Sequence, residues 1–75
     1  MSKQDRKFEV TGTIIEKLRG GKFKVQLEDK PEIEILCTLS GKLRTNKIYI
    51  SLGDRVDIDI DVADTTKGRI IWRYK

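Results

Sequence analysis

The side chains best placed to do chemistry in this sequence are its cations. Lys17, Arg19, Lys22 and Lys24 form one short block; Lys42, Arg44 and Lys47 form a second; Lys67, Arg69, Arg73 and Lys75 form a third. None of the three blocks contains an acid, whereas five aspartates gather between Asp54 and Asp64. A chain that kept charge only for solubility would intersperse the signs. Segregated cations instead create a field that draws in phosphates and gains from counterion release on contact. The net charge of +4 and the pI near 9.4 point the same way. A nucleic-acid backbone is therefore the expected ligand.

Other chemistries find little support. There is no histidine, so a general base would have to be a carboxylate or lysine with a displaced pKa. Asp57, Asp59 and Asp61 alternate along an extended run and read as a solvated outer face. A calcium loop needs ligands converging around a glycine turn, which this run does not offer. Cys37, the one cysteine, alternates with Ile33 and Ile35 and reads as a small core residue. It has no cysteine or histidine partner for a disulfide or a metal. Gly20-Gly21 is too short for a phosphate-cradling loop. We expect no enzyme, no cofactor and no metal.

The cations must be carried by strands, because the dominant pattern is period-2 alternation. A first strand places Phe8 and Val10 on one side and runs through Gly12, where a bulge or bend is expected. Gly20-Gly21 marks a turn. A second strand turns Phe23, Val25 and Leu27 inward and Lys22, Lys24, Gln26 and Glu28 outward. After the Asp29-Lys30-Pro31 turn, a third spans about residues 32–39 with Ile33, Ile35 and Cys37 on one face. Ser40 is a helix N-cap candidate opening one short helical turn. Val56, Ile58, Ile60 and Val62 define a fourth strand, and Arg69 to Tyr74 a fifth. Five strands with a helical insert between the third and fourth match the all-β, five-stranded OB-type Greek-key barrel; strand pattern alone also permits an SH3-like barrel. The 75 residues make one domain, 1–75, with residues 1–6 expected as a flexible tail. No apolar run is long enough for a membrane helix, and no secretory signal is read at the N-terminus.

Trp72 alternates with Ile70 and is expected in the core. Tyr49 and Tyr74 sit beside basic residues, where a ring can stack on an unpaired base. The candidate RNA-binding set is Lys22, Lys24, Lys42, Arg44, Lys47, Tyr49, Lys67, Arg69, Arg73, Tyr74 and Lys75.

Ser40-Gly41-Lys42-Leu43-Arg44, followed by Asn46, Ile48, Ile50 and Gly53-Asp54, resembles the most characteristic stretch of bacterial-type translation initiation factor one. Lys67-Gly68-Arg69-Ile70 with Arg73-Tyr74-Lys75 is similar to that family's closing strand, and Gly12-Thr13, Phe23-Lys24-Val25 and Leu27-Glu28 fit its first hairpin. The resemblance covers about residues 9–75. It implies an S1-like OB fold that binds the small ribosomal subunit at the decoding centre, in the aminoacyl-tRNA site. There the factor would block premature elongator-tRNA entry, touch ribosomal RNA and a neighbouring ribosomal protein, and assist the other initiation factors. Lys42, Arg44, Lys67, Arg69 and Arg73 match basic positions of the family surface. The chain departs from the family at Thr38, where histidine is usual, at Thr45 for a basic residue, at Lys47 for an aromatic and at Tyr49 for arginine. The implied protein is cytoplasmic, although an organellar matrix protein would look the same, and monomeric off the ribosome. The rival reading is a free-standing cold-shock or S1-like chaperone of single-stranded RNA.

Overall fold

The structure is a computed structural model and describes residues 8–74. The expected tail at 1–6, the candidate cation Lys75 and the Phe8 side chain lie outside the described part. Five strands, β1 (Phe8–Leu18), β2 (Lys22–Leu27), β3 (Glu34–Leu39), β4 (Arg55–Ile60) and β5 (Lys67–Arg73), close into a barrel in the order β1-β2-β3-β5-β4. Helix α1 (Gly41–Thr45) lies between β3 and β4. This is the OB fold, and the SH3-like alternative is set aside.

All neighbours are antiparallel except β3 and β5, which run parallel with Thr38 opposite Arg69. Eleven residues make β1 long enough to pair with both β2 and β4, so it serves as the stave that closes the ring. The alternating aliphatic residues produce the core directly: Ile14, Val25, Ile35, Cys37, Val56, Ile58 and Ile70 are almost fully excluded from solvent. Leu43, the one buried residue of α1, and Ile50 join this cluster from the insert. Burial pushes the Cys37 thiol up to about 12, so it stays protonated near neutrality, and it donates to the Ile35 carbonyl at 3.7 Å.

Two glycines fit where backbones approach too closely for a side chain. A Cβ on Gly12 would stand 2.5 Å from Val25 Cγ1 and 2.6 Å from the Gln26 carbonyl oxygen. One on Gly68 would stand 2.7 Å from the Asp59 carbonyl oxygen and 3.3 Å from Ile35 Cγ2. The bulge expected at Gly12 lies instead at Ile15, between the pairs Ile14–Val25 and Glu16–Lys24. Gly12 serves close packing of β1 on β2.

A second bulge corrects the reading of Trp72. Asp57 pairs with Trp72 and Ile58 with Ile70, which leaves Ile71 as an extra residue and reverses the alternation beyond it. Trp72 thus takes the outward register of Asp57 and is 57% exposed, not in the core. Two other expected core residues also fall outside, because their strands are shorter than the aliphatic pattern implies. Val62 lies past the end of β4 and is 54% exposed, and Ile33 sits in the turn before β3. Asp57 and Asp59 are half-buried rather than open to water, and of that trio only Asp61 is exposed.

Candidate RNA-binding surface

Strand register assembles the first part of the surface. Lys22 on β2 pairs with Thr38 on β3, Thr38 with Arg69 on β5, and Arg69 with Asp59 on β4. One row further along, Lys24 pairs with Leu36 and Leu36 with Lys67. Two cations on each outer strand therefore flank a polar-to-apolar centre formed by Thr38 and Leu36. Residues from two cationic blocks far apart in the chain meet on one sheet face. In OB barrels this strand 2–3 face commonly receives oligonucleotides.

The second part stands on α1 and its exit. Ser40 caps the helix, its hydroxyl accepting from the Leu43 N–H at 3.3 Å, while its own N–H donates to the Ile70 carbonyl at 2.9 Å and ties the helix to β5. With Leu43 buried beneath, Lys42 and Arg44 point into solvent. The helix ends in a Schellman motif. The Ile48 N–H donates to the Leu43 carbonyl at 3.1 Å and the Lys47 N–H to the Arg44 carbonyl at 3.2 Å. Lys47 occupies the left-handed position of that motif with φ 56°, where glycine is usual.

The candidate residues divide by what already holds them. Lys22, Lys42, Arg44, Lys47 and Arg69 are exposed and make no ion pair among the described residues. Lys24 lies 3.3 Å from Glu16 and 3.7 Å from Glu34, and Lys67 lies 3.9 Å from Asp64. Arg73 donates through Nη1 to the Tyr49 carbonyl at 2.6 Å, with Nε 3.9 Å from the Asp54 carboxylate. Tyr74 donates its hydroxyl to Asp57 at 2.8 Å, which raises its pKa, and its ring lies under the Arg55 guanidinium at 4.8 Å. Tyr49 is the most exposed of the described aromatics, at 79%. An apolar groove of about 340 Å³ runs between Leu43, Ile48, Trp72, Arg73 and Tyr74.

Two residues of this region escape a reading of the sequence alone. Arg55 makes a two-point contact with Glu28, Nε to Oε2 at 2.8 Å and Nη2 to Oε1 at 3.1 Å, and covers Tyr74. Its hydrogen bond holds the Glu28 carboxyl below the usual carboxylate range. Its partner lies 27 positions away, so no local pattern announces the pair. Trp72 is the other, because an extra residue in β5 leaves no mark on the aliphatic alternation.

A small OB barrel with segregated, solvent-facing cations defines a nucleic-acid-binding module. The chain belongs to the translation initiation factor 1A / IF-1 family, whose profile it matches over residues 1–75. It is similar to the solution structure of translation initiation factor one from the Wolbachia endosymbiont strain TRS of Brugia malayi. The two are 42% identical with a TM-score of 0.75, over 92% of this chain and 79% of the other. The fold is also similar to part of YjeQ from Thermotoga maritima (28% identity, TM-score 0.74) and of YloQ, a circularly permuted GTPase (26%, 0.72). In both cases 91% of this chain covers 23% of the larger protein. No curated protein matches the sequence. The chain is thus a translation initiation factor of the RNA-binding, ribosome-associated OB type.

Proposed function

We propose that this factor binds the small ribosomal subunit at the decoding centre, occupies the aminoacyl-tRNA site, blocks premature entry of elongator tRNA and assists the other initiation factors. The observation that carries the reading is the set of exposed cations free of acidic partners among the described residues, Lys22, Lys42, Arg44, Lys47 and Arg69, on a chain of this family. Phosphate contacts from these residues supply affinity and register, and an exposed ring such as Tyr49 engages an unpaired base. A small interface dominated by charge also dissociates readily, as a factor that must leave requires. The proposed partners are ribosomal RNA, an adjacent ribosomal protein and the other initiation factors, in the cytoplasm, with no chemistry catalysed by the factor itself.

The test is binding to purified small subunits across a salt series, with chemical probing of the decoding-centre adenines. Saturable one-to-one binding that alters those adenines is the expected result. Weak binding, equal for any single-stranded RNA, would transfer the protein to the RNA-chaperone class. The exposed aromatics among the described residues, Tyr49, Trp72 and Tyr74, are the feature that such a chaperone would use.

A further inference from the structure

The segment between α1 and β4 has no regular structure over residues 46–54, yet it is held at both ends. Its start is fixed by the Schellman bonds, its middle by buried Ile50, and its end by the Gly53 N–H, which donates to the Ile14 carbonyl at 2.8 Å. At its last residue, Asp54 Oδ2 accepts from the Ser51 N–H at 2.8 Å and lies 3.9 Å from Arg73 Nε. The same guanidinium donates to the Tyr49 carbonyl at 2.6 Å. Arg73 therefore clasps both halves of the loop, and the residue it grips directly carries the most exposed large hydrophobic side chain among the described residues.

We infer that Arg73 is a positioning residue for Tyr49, not a phosphate contact, and that it presents the Tyr49 ring as a stacking platform for an unpaired base. The inference rests on the proposed RNA-binding function and deepens it. With Nη1 bonded to the Tyr49 carbonyl and Nε 3.9 Å from the Asp54 carboxylate, the guanidinium directs donors into the loop and has its charge partly offset by Asp54, so it is poorly placed to meet a phosphate. Fixing the backbone at Tyr49 leaves only the ring's own rotation to be ordered on binding, which lowers the entropic cost of stacking. Stacking depends on ring area rather than charge, so this contact should be nearly independent of salt.

A double-mutant cycle of Tyr49→Ala and Arg73→Gln, with purified small subunits titrated at several salt concentrations, tests it. Tyr49→Ala is expected to weaken binding by about tenfold without altering the log–log salt slope, and Tyr49→Phe to bind like the wild type. Arg73→Gln should lose several-fold, again at unchanged slope, and the double variant should be no weaker than Tyr49→Ala alone. A second reagent guards against misfolding of Arg73→Gln. A semisynthetic chain with the neutral isostere citrulline at position 73 keeps N–H donors there and should bind with the wild-type affinity and slope. A slope reduced by about 0.7–0.9 in either position-73 variant, or additive losses in the cycle, would overturn the positioning role. Failure of the wild type to bind subunits would instead overturn the function proposed above.

Discussion

On the β2–β3–β5 face and α1, Lys22, Lys42, Arg44, Lys47 and Arg69 reach solvent without an ion-pair partner among the described residues. At the end of the barrel where β4 meets the last residues of β5, Arg55 is bonded to Glu28 and Arg73 to the Tyr49 carbonyl. There Tyr74 is bonded to Asp57, which also accepts from Thr11 at 2.7 Å. Both regions are rich in cations in the sequence. One leaves most of its charge available, with Lys24 and Lys67 held by nearby acids, and the other commits its cations to joining β4, β5, the turn after β2 and the 46–54 loop. Formal charge therefore overstates the surface open to phosphate, and the location of each acid decides which cations count.

The comparison is broken most directly by emptying the first region. Replacing Lys42, Arg44 and Lys47 together by alanine should weaken subunit binding by on the order of 100-fold at low salt and flatten the salt slope by about 2. The melting temperature should move little, because none of the three supports the core. A large drop in melting temperature with an unchanged slope would show that these residues act structurally.

Lys47→Gly sharpens the contrast at one residue. Relief of the left-handed backbone should stabilise the fold by roughly 1 kcal/mol, while loss of the ammonium should weaken binding several-fold. Thermal unfolding and subunit titration on the same variant read the two effects, and a variant that is less stable would refute the backbone assignment. In the second region, Arg55→Gln should lower the melting temperature by roughly a few degrees and leave the salt slope of binding unaltered. A flattened slope there would place Arg55 on the phosphate-binding face.

The smallest expected effect is on pH dependence. The Glu28 carboxyl is held below 4.5, chiefly by its hydrogen bond with Arg55, and that of Asp64 below 3.8, chiefly by its hydrogen bond with Thr66. A depressed carboxylate pKa contributes stability that is fully present above the unfolded value and is lost as pH falls through the folded one. Stability should therefore be level from neutrality down to about pH 5 and decline below about pH 4, with Glu28→Gln making that decline shallower. Urea unfolding at a series of pH values measures it.

Much of this is legible in the sequence because it depends on short-range pattern. Phe23, Val25 and Leu27 alternate into the core as the aliphatic spacing requires, Ser40 caps α1, and the order of five strands with one insert identifies the OB barrel. The legible part of the site is its composition, three acid-free cationic blocks. What stays hidden depends on register. The Ile71 bulge that turns Trp72 outward, the Ile15 bulge in β1 and the 27-residue reach of Arg55 to Glu28 arise only when strands pair. Arg73 and Tyr74 resemble their neighbours in sequence, and only their partners from β4 and the loop set them apart.

The closure of the ring through β1 and β4 has a kinetic consequence. Thr11 and Asp57, which share a hydrogen bond across that seam, are 46 positions apart, and β3 reaches β5 only in parallel. Such non-local pairings delay folding, because a long loop must be ordered before its contacts offset the lost entropy. Refolding should take on the order of milliseconds to seconds, not the microseconds of local-contact folds. While the chain emerges during synthesis, β1, β2 and β3 can form a meander whose outer edges stay open until β4 and β5 arrive. Until those strands dock, the open edges of β1 and β3 are the surfaces at risk of edge-to-edge association.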